Sequence, residues 1–217
     1  MEFWHLIGRG VDKRDIVLDD KDRVRFIHDL YVFNDIHSTP NFVVKSRHKE
    51  QPKRDVLVDI HSFCVMNNHY HLLVSERVEK GISFFMKKLN MGYAKYFNER
   101  YDRSGALWQG KYKKVLIERD AHFLYIPFYI HLNPLDYTHP KWRKGEVKNT
   151  DEALKSLLEY RWSSHLDYLG VRNFPSLLQM NVFNSILGSR KKYEDAIATL
   201  IRDRNLAEQS NTLEYKN

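Results

Sequence analysis

Two periods of apolar residues divide the first 133 positions of the chain into elements. "EFWHLIGRG" alternates apolar and polar residues and ends in a glycine-flanked arginine, which predicts a strand entering a loop at Gly8-Arg9-Gly10. "LDDKDRVRFIHDLYVFN" switches to the helical period, with Asp19 or Asp20 as N-cap and Val24, Ile27, Leu30 and Tyr31 on one face. "VLVDIHSFCVM" and "HYHLLVSE" flank Asn67-Asn68, a pair suited to the tight link of a hairpin. "ISFFMKKLNMGYAKYFNERY" is helical, with Ile82, Phe85, Met86, Leu89, Tyr93, Tyr96 and Phe97 as a core stripe, and "KKVLIER" returns as a strand. A last helix, "AHFLYIPFYIHLN", follows Asp120 and must stop near Asn133 because Pro134 comes next. Pro127 inside it removes one backbone hydrogen bond and predicts a kink two residues before Tyr129.

The order β-α-β-β-α-β is that of a ferredoxin-like split βαβ fold, an α+β antiparallel sheet with helices on one face and the other face open. Beyond residue 140 the pattern changes to short helices without strands, so the expected division is a domain over 1–140 and a helical C-terminal extension over 141–217. Residues 37 to 55 hold two prolines with Lys45, Arg47, Lys49, Lys53 and Arg54 and read as a basic loop, with Phe42 to Val44 a candidate short strand. The final seven residues are polar and read as frayed.

Composition narrows the class. A hydrophobic share of 42% over 217 residues is enough for a full core and argues against disorder. No apolar run has the length of a membrane span and no signal-peptide pattern follows the Met-Glu start, so the expectation is a cytoplasmic protein with no membrane partner. The single cysteine, Cys64, excludes an internal disulfide and a cysteine-based zinc site, and reads as a small core residue. The net charge of +7 with 13% aromatic residues suits a nucleic-acid surface, although charge alone equally describes a protein solvated by lysine.

Two residues carry candidate chemistry into the hairpin. His69 and His71 are two apart in a strand, so both imidazoles point to one face and reach one object. Two neutral imidazoles make half of a divalent metal site, or simply hydrogen-bond as strand histidines often do. Tyr129 and Asn133, at i and i+4 in "YIHLN", put a phenol and an amide one turn apart on one helix face, so Asn133 can complete a metal sphere while Tyr129 points at the same substrate atom.

"FCVMNNHYHLLV", "YAKYFNERYDRSGALWQGKYKKVLIE" and "YIHLNP" resemble, in order and spacing, the single-tyrosine HUH transposases, which include insertion-sequence enzymes and REP-associated tyrosine transposases. The resemblance spans roughly residues 3 to 135, and "YRWSSHLDYLG" at 160–170 resembles the tail of many members. It implies a ferredoxin-like domain in which His69, His71 and Asn133 hold one Mg²⁺ or Mn²⁺ and Tyr129 is the nucleophile. It also implies attack that leaves a 5′-phosphotyrosine and a free 3′ hydroxyl. A phenol of pKa ~10 is almost fully protonated at neutral pH, so a metal that polarises the scissile phosphate fits this chemistry. One phosphodiester replaces another, which keeps the step reversible and suits strand transfer.

On the substrate side, "RSGALWQGKYKK" through Arg119 sets five cationic residues against Glu118, with Trp108 and Tyr112 between them. That mixture of phosphate contacts and stacking platforms points to single-stranded DNA, and the family implies strands beside hairpin or palindromic elements. The DNA-binding candidates are Arg9, Arg14, Arg103, Trp108, Gln109, Lys111 and Lys113, with Trp108 alternatively a residue capping the core. In "KKVLIER" the strand alternation puts Lys111 and Lys113 on one face and Lys114 on the other. With one tyrosine per chain, two cleavages need a homodimer or two turnovers of a monomer. Two other readings stand beside this one: a replication-initiator or relaxase relative, and a non-catalytic single-strand nucleic-acid-binding module with an RNA-recognition-like fold, whose aromatic-rich stretches are missing here.

Overall fold

A computed structural model describes residues 1–37, 54–118 and 120–202, with the side chains of 120–122 left aside. The expected basic loop therefore lies outside the described residues from 38 to 53, as do Arg119 and the polar C-terminus. Strands β1 (Trp4–Arg9), β2 (Val58–Val65), β3 (His69–Glu76) and β4 (Lys113–Leu116) form an antiparallel sheet in the order β2-β3-β1-β4. Helix α1 (Asp20–Val32) joins β1 to β2 and α2 (Gly81–Arg100) joins β3 to β4, which is the split βαβ arrangement. The Asn67-Asn68 link is a hairpin turn, closed by the Met66 amide donating to the His69 carbonyl at 2.8 Å.

Local sequence accounts for the boundaries. Asp19 caps α1 by accepting from the Asp22 amide at 3.1 Å, and Phe26, Ile27 and Leu30 are its buried apolar face. Val24 departs from the expected stripe and is 55% exposed, because the helix is rotated so that Asp22 and Asp29 turn inward. Buried Asp22 accepts from Tyr96, Tyr101 and Arg100 of α2 and its C-cap, so a polar clamp takes the place an apolar contact would fill. Gly8 was expected in a loop but lies inside β1, directly opposite Tyr70 on β3. A Cβ on Gly8 would come within 2.4 Å of the Tyr70 ring, so the strand continues there because glycine leaves room for that ring.

Alternation sorts the sheet into two faces. Leu6, Tyr70, Leu72 and Val74 pack with α1 and α2, as expected. The other face, expected to be open, is covered. It carries His5, His71, Leu73 and Cys64, and over it lies α3 (Asp120–Leu132), one helix running through Pro127. The extension follows as α4 (Leu135–Thr138), α5 (Thr150–Glu159), α6 (His165–Tyr168), α7 (Asn181–Leu187) and α8 (Arg190–Arg202). Ile126, Ile130 and Leu132 of α3 share a second core with Leu157 of α5, Phe183 of α7, and Ile197 and Ile201 of α8.

Polar groups tie the extension to the sheet and to α3. The Val65 amide donates to the Trp162 carbonyl at 2.9 Å, and the Ser164 amide to the Phe63 carbonyl at 3.0 Å, so the "RWSSH" stretch lies along β2. Behind it is a fully buried chain of side chains: Ser164 Oγ to His131 Nε2 at 2.7 Å, His131 Nδ1 to the Tyr193 hydroxyl at 2.8 Å, and that hydroxyl to His165 Nδ1 at 2.8 Å. Burial holds His131 well below the ordinary histidine range and His165 at about 4, so both rings are neutral and act as hydrogen-bonding groups.

Candidate functional site

The register of β1 on β3 places Arg9 opposite His69 and Ile7 opposite His71, all on the face covered by α3. The His69 and His71 rings are 4.9 Å apart, edge to face. Tyr129 of α3 arrives above them, its ring centroid 5.7 Å from that of His71 and 5.9 Å from that of His5 on β1. The two histidines and the tyrosine singled out in the sequence are thus one cluster. Tyr129 and His71 are fully buried, while His69 keeps 7% exposure.

Both imidazoles of the pair are held neutral. Burial brings His69 down to about 3, helped by the cations Arg9 and Arg143, and burial pushes His71 further below its ordinary value. Their outer nitrogens are engaged: His69 Nδ1 is 2.6 Å from Asn68 Oδ1, and His71 Nδ1 is 2.9 Å from His5 Nε2. His71 Nε2 is buried with no hydrogen-bond partner among the described residues. A neutral imidazole with one nitrogen tethered and the other bare is the form that ligates a metal, so the pair fits a divalent cation. No group of three His, Cys, Asp or Glu side chains with metal-holding placement occurs among the described residues, so a complete site needs ligands of another kind.

Asn133, read as the third ligand, is buried and engaged at both ends of its amide. Nδ2 donates to the Tyr129 carbonyl at 2.7 Å, and Oδ1 accepts from Arg143 Nη2 at 2.8 Å, which leaves one lone pair on the oxygen. Arg143 was not foreseen. It belongs to a 3-10 turn, Trp142–Lys144, and its guanidinium lies 5.8 Å from the Tyr129 ring centroid and 4.5 Å from that of Trp142. Asp136 anchors this cover, accepting from Arg143 and, at 2.7 Å, from Trp142 Nε1. His5 was missed as well. Its only sequence signal is strand parity, which places it on the same face of β1 as Ile7.

Beside the cluster a groove of about 250 Å³ runs along the edge of β1, where β4 has not yet begun. Arg9, Trp108, Gln109, Lys111 and Lys113 line it together with His71. Five of the seven DNA-binding candidates therefore converge on one groove that reaches a histidine of the pair. Arg14 is exposed and outside that lining, and Arg103 is turned back on α2, donating to Asn98 Oδ1 at 2.9 Å. Trp108 has a packing role too: its indole N–H donates to the Asn90 carbonyl at 2.9 Å and its ring meets Tyr70 edge-on. Lys114 points to the opposite face, 3.8 Å over the Trp4 ring, as strand alternation required.

The family model described as "Transposase IS200 like" matches residues 44–133, from before β2 to the end of the tyrosine helix. Over that segment, 90 of the 217 residues, the chain is similar to IS200-like transposases. The matched segment holds His69, His71, Tyr129 and Asn133, whereas His5 and Arg143 lie on either side of it. Among solved structures, the chain is similar to one described as "Structure of the REP associates tyrosine transposase bound to a REP hairpin". The two share 14% identity over 83% of this chain and 87% of that one, with a TM-score of 0.48. No curated protein matches the chain. No helix among the described residues is long and apolar enough to cross a membrane.

Proposed function

We propose that this chain is a transposase, a cytoplasmic, metal-dependent single-strand DNA endonuclease and strand transferase that acts beside hairpins through a 5′-phosphotyrosine at Tyr129. The observation that carries the reading is the meeting of Tyr129 with the His69–His71 pair at the end of a basic groove. His69 and His71 would hold Mg²⁺ or Mn²⁺ through Nε2, with the free lone pair of Asn133 Oδ1 as a further ligand. Bound there, the cation would polarise the scissile phosphodiester. Arg9, Lys111 and Lys113 grip phosphates along the groove, and Gln109 and Trp108 face the bases. As the Tyr129 oxygen bonds to phosphorus, the 3′ oxygen leaves and ends as a hydroxyl with the proton the phenol gave up. Because Tyr129 is fully buried, Trp142 and Arg143 must draw back for the phosphate to reach it.

The test is incubation of the full chain with hairpin-bearing single strands from the flanks of its own gene, in Mn²⁺, with denaturing gels to detect a protein–DNA adduct. Wild type forms the adduct, and Tyr129→Phe forms none while binding DNA nearly as well, since only the nucleophilic oxygen is removed. An adduct that persists in Tyr129→Phe moves the nucleophile to another phenol. DNA binding without an adduct or metal dependence in wild type would support a non-catalytic binding module instead.

A further inference from the structure

We infer that His5 is a positioning residue that fixes the tautomer and orientation of His71, so that His71 presents a bare Nε2 to the cation; this rests on the reading that the histidine pair holds a divalent metal. An imidazole ligates through a lone pair, so its other nitrogen must carry the proton, and a buried N–H needs an acceptor. His71 has one such acceptor in His5 Nε2, 2.9 Å from its Nδ1. The rings lie nearly parallel, 15° apart with centroids separated by 5.1 Å. His5 is as completely buried as His71, and it faces Leu73 in a β1–β3 ladder of six paired positions, which leaves the ring little room to turn. His69 is oriented from within its own hairpin by Asn68, whereas His71 depends on a strand more than sixty residues away in sequence.

The inference accounts for two observations at once. With its proton on Nδ1, His71 leaves Nε2 as an acceptor lone pair, which is the buried atom that has no hydrogen-bond partner. His5 also lies 5.9 Å from the Tyr129 ring centroid, so the residue that orients the metal ligand also packs against the nucleophile.

The experiment measures Mn²⁺ binding to the full chain, by titration calorimetry and by electron paramagnetic resonance of free Mn²⁺, for wild type, His5→Phe and His5→Gln. Phenylalanine keeps the ring and removes the acceptor, whereas the glutamine amide oxygen reaches the place of Nε2. His5→Phe should weaken Mn²⁺ binding about 10- to 100-fold, the usual effect of losing the partner behind a ligating histidine, and His5→Gln should recover most of it. A merely packing role predicts the reverse ranking, with phenylalanine the milder change. Equal Mn²⁺ affinity in wild type and His5→Phe overturns the inference and leaves the metal reading intact, whereas wild type that binds no Mn²⁺ overturns both. Nitrogen-15 spectra of the metal-free wild type decide the matter should His5→Phe fail to fold: a proton on Nδ1 of His71 supports the assignment and a proton on Nε2 overturns it.

Discussion

Acid should unfold this protein through its histidines well before its carboxylates are reached. His69, at about 3, and His165, at about 4, are neutral in the fold, whereas in the unfolded chain each takes up a proton near 6.5. The sign follows from which state binds more protons. Between these values the unfolded chain does, so stability is present above pH 6.5 and is lost as pH falls toward 4. At pH 5.5 each group should have lost on the order of 1 kcal/mol of the stability it gives at high pH, and the two together a few kcal/mol. His61, His71 and His131 are lowered for the same reason, burial, and act in the same direction. The salt-bridged Asp19, at about 2 against 3.8, gives up its contribution only below pH 4 and stays outside this window. Urea unfolding of the metal-free protein at pH 7.5 and 5.5 measures the difference. The expected loss is about 2–3 kcal/mol, a large part of an ordinary domain's stability, and His165→Asn should reduce it by about 1 kcal/mol. A change below about 1 kcal/mol would show that the buried rings are not held neutral, and the reasoning would fail.

Three further outcomes are expected. Replacing Lys111 and Lys113 with Gln should lower the slope of log affinity against log salt by about 0.7 per lost phosphate contact in fluorescence anisotropy, while Lys114→Gln leaves it unchanged. An unchanged slope in the double variant would place the DNA away from this groove. Gly8→Ala should cost about 1–3 kcal/mol in urea unfolding, because the new methyl meets a Tyr70 ring already packed by Phe26 and Trp108; a cost under about 0.5 kcal/mol would contradict that packing. Tyr193→Phe removes the hydroxyl between His131 and His165 and should cost about 2–4 kcal/mol by leaving two buried nitrogens unsatisfied, which the same unfolding assay checks against a null of no change.

What was legible in the chain depended on how far apart the interacting residues are. Period-2 and period-3.6 patterns are local, so the element order and the common face of His69 and His71 could be read directly. The approach of Tyr129 to that face followed from the motif resemblance. Val24 misled because a helical stripe gives a face but not its rotation, and here the inward Asp22 holds the rotation through partners on another helix. His5 could be assigned a side of β1, but its neighbour is chosen by the β1–β3 register, which no local pattern encodes. Arg143 sits in a short turn past the helix end, and nothing in its own surroundings announces that it reaches back to Asn133. Packing of the C-terminal helices on the open face was the default expectation, but the apolar stripes of α5 and α8 do not say which residues they meet there.

The stretch from Trp162 to Ser164 also bears on how two copies of this chain could assemble. β2 ends the sheet on one side, and an end strand is ordinarily where a neighbouring molecule adds its own strand. Here the Val65 amide and the carbonyls of Phe63 and Ile60 already bond to Trp162, Ser164 and Gln179 of the same chain. That border is sealed from within. A dimer built by joining two sheets would have to do so through β4, the four-residue border next to the groove, where Lys113 and Lys114 are exposed on either side. Any such assembly would bring a second basic groove close to the first, whereas a chain acting alone leaves that border in solvent.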